Sequence, residues 1–140
     1  MTRPILALGA LAALAASAVA VRRTLILTTV DGDSMEPALR SGDRVLIRRT
    51  RRVRRGQVTL LRSDSHDLLL LKRAVAVPGD HLAKEWADVD VQRIADTTVP
   101  PDAIVVVGDN RPKSWDSRHF GHVGKDRVVG VLLTRVSTVS

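Results

Sequence analysis

The chain has 140 residues, a formal net charge of +7 and no cysteine, which leaves room for one modest domain and excludes disulfides, zinc–thiolate centres and a cysteine nucleophile. Of its 22 basic residues only 4 are lysine, so the basic surface is written in arginine and each lysine stands out. Such a balance favours an anionic neighbour, either nucleic acid or the acidic headgroups of a membrane.

From Ile5 to Val21 run 17 uncharged residues rich in Ala and Leu, roughly 25 Å of helix and near the lower limit for crossing a bilayer. Residues 1–23 are therefore expected to form a transmembrane anchor and residues 24–140 the folded domain. Ala18-Val19-Ala20 also fits the small-x-small pattern before the cleavage point of a signal peptide, which keeps that alternative open. Only Arg3 precedes the apolar run whereas Arg22, Arg23 and a longer basic tract follow it. By the positive-inside rule alone, the C-terminal part would face inwards.

Beyond this segment the pattern is of short β-like runs: Thr24 to Val30, Arg44 to Arg48, Gln57 to Leu61, Leu68 to Val77, Ala103 to Val107 and Arg127 to Thr134. Turn residues separate them, among them Gly42-Asp43, Gly56, Pro78-Gly79-Asp80 and Pro100-Pro101. None shows a 3.6-residue apolar period. The expected class is mainly β, antiparallel sheets forming a partly open barrel. Lys84 to Ile94 reads as an irregular loop or short hairpin.

Three stretches carry groups that could do chemistry. In Gly32-Asp33-Ser34-Met35-Glu36-Pro37 a serine sits on a turn just after a strand-like run. Pro37 disfavours helical geometry at the residue before it, and Gly32 would let the backbone approach a bound carbonyl. In Leu68 to Val77, strand alternation puts Lys72 on one face with Leu70, Ala74 and Ala76, and Arg73 on the other with Leu71 and Val75. Arginine stays protonated wherever it lies, but a desolvated lysine loses its proton and can act as a general base to a hydroxyl. The bland alternative is an edge strand whose two cations both curl into solvent. The third stretch, Gly108 to Gly121, is a dense polar loop in which Asp116 and Arg118 could pair and Ser114 could orient a lysine amine.

Together the three stretches resemble the signal peptidase I family. Gly32-x-Ser34-Met35-x-Pro37 is similar to its nucleophile box, Lys72-Arg73-x-Val75-x-x-Pro78-Gly79-Asp80 to its lysine box, and Gly108-Asp109-Asn110-Arg111-x-x-Ser114-x-Asp116-Ser117-Arg118 to its third box. The resemblance implies a β peptidase domain of the type shared with self-cleaving repressors. It implies Ser34 as acyl-forming nucleophile, Lys72 as general base, Ser114 as the hydroxyl that positions the amine, and Asp116 with Arg118 as an ion pair. Gly32, Met35, Pro37, Arg73, Asp109, Asn110 and Arg111 would be supporting residues. No cofactor and no metal are implied. The implied partners are signal-peptide-bearing preproteins and membrane lipid, without nucleic acid, and the implied place is the cell membrane with the catalytic domain outside, against the arginine count.

Only 27 residues separate Asp80 from Gly108, too few for the extra β-domain of larger bacterial members, so the chain looks like the compact forms. Ala38 and Pro112-Lys113 depart from the family's usual residues. A dedicated maturation protease, or a tethered binding domain with a degenerate site, are the alternative functions. The tract Arg48 to Arg55 reads as a solvated turn attractive to anionic lipid, because no aromatic residue interleaves with it as nucleic-acid binding would ask. His66, His81, His119 and His122 have no spacing that suggests a triad or a metal site.

Overall fold

A computed structural model describes residues 3–64, 67–82, 94 and 96–138. The Ala/Leu-rich segment is a single helix, α1 (Arg3–Thr24). Many of its apolar side chains are exposed: Ile5, Leu6, Leu8, Leu11 and Leu14 are each at least 70% exposed. Ile5–Thr24 is long and apolar enough to cross a bilayer.

At Thr24 the helix passes without a break into β1 (Leu25–Thr29). There follow β2 (Arg44–Arg49), β3 (Val58–Arg62), β4 (Leu69–Ala76), β5 (Ala103–Val107), a four-residue helix α2 (Ser117–Phe120), β6 (Val123–Gly124) and β7 (Val128–Ser137). The strands form one antiparallel sheet in the order β1-β2-β7-β3-β4-β5-β6, curled into a half-barrel. All six expected runs are strands, with ends shifted by three residues or fewer. The expected loop from Lys84 to Ile94 lies outside the described residues except for Ile94, which is buried with Leu82, Val99 and Val105.

Alternation explains the faces. In β2, Val45 and Ile47 are fully buried while Arg44, Arg48 and Arg49 are exposed; β5, covered on both sides, is buried at all five positions and is apolar throughout. Burying side chains such as Ile47, Leu60 and Leu61 contributes roughly 1.5–3 kcal/mol each. One cross-strand row runs across the sheet from Lys72 to Thr59, Val131, Arg48 and Leu25. It places Lys72 at the level at which the chain leaves α1.

Candidate active site

The turn that carries Ser34 is closed at its base and pinned from below. Val30 N–H donates to the Asp43 carbonyl and Gly42 N–H to the Val30 carbonyl, both at 2.8 Å. Met35 and Leu39 enter the core beneath it, 1% and 3% exposed. Gly32 has φ +81, a left-handed value that favours glycine, with open space where a Cβ would stand. Its use here is to make the turn, whereas the sequence suggested close approach to a ligand.

Lys72 is delivered by β4 exactly opposite that turn. Its Nζ lies 2.7 Å from Ser34 Oγ, and the side chain is only 4% exposed. Arg73, on the other face of the strand, goes to a different partner: its Nε and Nη2 donate to both carboxylate oxygens of Asp109 at 2.7 and 2.6 Å, and Nη1 donates to the Gly56 carbonyl. Alternation thus separates an ammonium in a dry setting from a guanidinium in a wet one. Burial pushes the Lys72 amine below the usual lysine range; the negative charge of Asp116 works against that shift and Arg118 adds to it.

The polar segment from Gly108 to Gly121 clasps the serine turn. Asn110 N–H donates to the Ser34 carbonyl at 3.0 Å, Asn110 Nδ2 donates to the Asp33 carbonyl at 3.1 Å, and Lys113 Nζ lies 3.4 Å from Asp33 Oδ2. Close approach falls to Gly108, where a Cβ would collide with the Ser114 side chain and come within 2.6 Å of the Ser34 carbonyl oxygen. Arg111 contributes through its backbone, its carbonyl accepting from Arg118 Nη2 at 2.8 Å, while its side chain is exposed.

Asp116 is the hub of the segment. Fully buried, it accepts from Gly108 N–H at 2.9 Å, from Ser114 Oγ at 2.6 Å, and from Arg118 Nε and Nη2 at 2.8 and 2.9 Å. It also caps α2, accepting from Arg118 N–H while its own N–H donates to His119 Nδ1. Burial alone would raise its pKa, but the bonds from Arg118, Ser114 and the Gly108 and Arg118 N–H groups outweigh burial and hold it below the usual carboxylate range. The sequence reading needs one correction. Ser114 was expected to orient the lysine amine, yet its hydroxyl donates to Asp116, and among the described residues the amine's hydrogen bond is to Ser34 Oγ. A buried carboxylate is the stronger acceptor, so it takes the Ser114 proton.

Thr59 escaped the sequence reading. It is fully buried on β3, and its Oγ1 donates to the Lys72 carbonyl at 3.0 Å, fixing the backbone from which the amine projects. The one signal was a lone hydroxyl within the apolar run Val58 to Leu61. Of the histidines, His119 stacks on Trp115 with ring centroids 4.2 Å apart, and His81 lies 3.4 Å from Asp96. Among the described residues none bonds to Ser34.

The pair lies beside a small pocket of about 70 Å³ lined by Thr28, Val30, Ser34, Leu69, Leu71 and Lys72. A more open cleft of about 430 Å³ is bounded by Pro37, Ala38, Arg73, Val75 and Asp109. Next to the pocket two backbone edges lie open among the described residues: β1 pairs there only with β2, and Leu69 to Lys72 pair with β3 on one side, since pairing with β5 begins at Arg73.

Comparison with known proteins adds a family model described as signal peptidase, peptidase S26, which matches residues 3–93 and 82–137. Signal peptidase I of Bacillus caldolyticus is 28% identical over 134 residues, covering 72% of this chain and 73% of that one. Signal peptidase I of Bacillus licheniformis is 30% identical over 131 residues, covering 72% and 70% respectively. A solved signal peptidase I from Enterococcus faecalis V583 superposes with a TM-score of 0.47 at 26% identity, over 59% of this chain and 97% of that one.

Proposed function

The chain belongs to the signal peptidase family, peptidase S26, and from that premise we propose that it removes signal peptides with Ser34 as nucleophile and Lys72 as general base. Membership makes it a serine endopeptidase, a hydrolase acting on preproteins that carry signal peptides. The observation that carries the residue assignment is the 2.7 Å separation of Ser34 Oγ from an amine that is 4% exposed.

The chemistry is acyl transfer. The lone pair of a neutral Lys72 amine takes the Ser34 hydroxyl proton as Oγ bonds to the substrate carbonyl carbon. The resulting ammonium then gives that proton to the leaving amine as the peptide bond breaks. A water molecule, deprotonated by the same amine, attacks the ester, and the proton returns to Ser34 Oγ as the acid leaves. The oxyanion needs a donor aimed at it, and the Ser34 N–H has no acceptor among the described residues, which suits it for that purpose.

Two features support an extended substrate with small residues before the cut. The open edges of β1 and β4 can pair with a peptide strand on either side. The pocket beside Ser34 is small and partly apolar, which favours a small side chain there. In a preprotein ending its signal peptide in Ala-x-Ala, changing the residue just before the cut to Leu is expected to lower kcat/KM by at least about tenfold; equal cleavage of the two substrates would refute this specificity. α1 is the anchor, and the catalytic domain lies on the extracytoplasmic face where signal peptides emerge. Proteinase added outside intact cells should then digest residues 24–140, and their protection would favour the arginine count instead.

A further inference from the structure

The end of β2 and the loop joining it to β3 hold Arg48, Arg49, Arg51, Arg52 and Arg54, every one of them exposed and none in an ion pair among the described residues. The other arginines of the folded domain include several that are paired, such as Arg55 with Asp80 and Arg127 with Asp64, both at 2.6 Å. The loop is nevertheless held in shape. Arg52 N–H donates to Thr50 Oγ1 at 3.1 Å, Arg54 N–H donates to Gln57 Oε1 at 2.8 Å, and Val53 packs against the core. Five guanidinium groups are thus displayed along one ordered segment, two at the end of β2 and three on the loop, at the like-charge cost that such a cluster carries without an anion.

Their position is set by register. Arg48 pairs with Leu25, the first residue after α1, so the end of β2 and the start of the loop lie at the end of the sheet at which the helix leaves the domain, next to the exposed Arg22 and Arg23, and the loop then runs back towards the start of β3. With α1 across a bilayer, this end of the sheet meets the headgroup layer. Two clefts between the guanidiniums, of about 470 and 320 Å³, are wide enough for phosphate groups. Asp126 lines the smaller one and is the acidic residue that faces the patch there. Planar guanidinium forks bind phosphate oxygens in pairs, and each cation near an anionic surface contributes about 1 kcal/mol.

We infer that the Arg48–Arg54 loop docks on anionic phospholipid headgroups and thereby holds the sheet, and the Ser34–Lys72 cleft with it, at a fixed attitude to the membrane. The cross-strand row gives this a consequence for catalysis: Lys72 lies four strand spacings from Leu25, roughly 19 Å along the sheet. Rotation of the domain about the α1–β1 junction would therefore swing the cleft, and the arginine contacts oppose that rotation. Nucleic acid would fill the same charge, but it has no stacking platform here, since the aromatic residues of the chain are two Trp and one Phe and none is in the loop.

The inference rests on α1 being the anchor, and its test separates the two. Because the chain has no cysteine, Arg52→Cys gives a unique site for an environment-sensitive dye in the full-length protein. Asp102→Cys, exposed just before β5 at the opposite end of the sheet, serves as control. In vesicles of phosphatidylcholine with phosphatidylglycerol, quenching of the Arg52→Cys dye by neutral acrylamide should fall severalfold relative to phosphatidylcholine alone. It should recover at 1 M salt, where the screening length is about 3 Å, and the Asp102→Cys dye should not change. Equal quenching in both lipids, with the chain still resisting alkaline carbonate extraction, overturns the docking and leaves the anchor intact. Protection by duplex DNA but not by phosphatidylglycerol would overturn it in favour of a nucleic-acid surface. Extraction by carbonate would remove the anchor, and the docking with it.

Discussion

Lys72→Met should lower kcat/KM by about 10⁴-fold or more, as should Ser34→Ala, and the double variant should lose no more than either single one. Groups that act as one unit fail together, so the second substitution removes nothing that the first has left. The methionine variant separates chemistry from folding. Methionine fills nearly the volume of lysine, and burying a thioether avoids the desolvation of an ammionium-forming group in a position that is 4% exposed. Its denaturation midpoint should therefore equal or exceed that of the parent, so that lost turnover cannot be ascribed to lost structure. Retained turnover in either single variant would reject the assignment. The pH profile carries the sign. Only the neutral amine is a base, and burial brings its pKa below the usual lysine range. Activity should then rise from neutral towards alkaline pH as Lys72 loses its proton, and a profile flat down to pH 5 would contradict a lysine base.

The second large effect is expected at Asp116. Removing the carboxylate in Asp116→Ala leaves the Arg118 guanidinium, 6% exposed, without its counter-ion and frees the Ser114 hydroxyl and the Gly108 N–H together. Truncating one partner of a buried pair costs about 3–5 kcal/mol, read as a lower denaturation midpoint. A loss under about 1 kcal/mol would show that the network contributes little. The gentler Asp116→Asn keeps the shape and removes the charge that opposes deprotonation of Lys72. Its activity–pH curve should accordingly move to lower pH, whereas a purely structural role for Asp116 would lower the rate without moving the curve.

Much of this was legible without coordinates. Turn residues and period-two alternation located six strands, and the split of Lys72 from Arg73 onto opposite faces follows from strand geometry alone. The short helix α2 was not legible, since four residues carry no measurable period and its start is fixed by Asp116, a side chain equally suited to pair with Arg118. The role of Thr59 was hidden for another reason. A hydroxyl in an apolar strand means nothing until register shows that it stands across from Lys72.

The sequence by itself determined the N-terminal apolar helix, the mainly β class, the three motif boxes and which of two adjacent cations would face the dry side. Only the tertiary structure decided that Ser34 and Lys72, 38 residues apart, meet at 2.7 Å, that Ser114 serves Asp116, and that the arginine loop stands beside the end of α1. Periodicity and turn chemistry are local properties of the backbone and can be read from neighbouring residues. Strand order, register and buried hydrogen-bond partners are settled by long-range packing, which the spacing of residues along the chain does not encode.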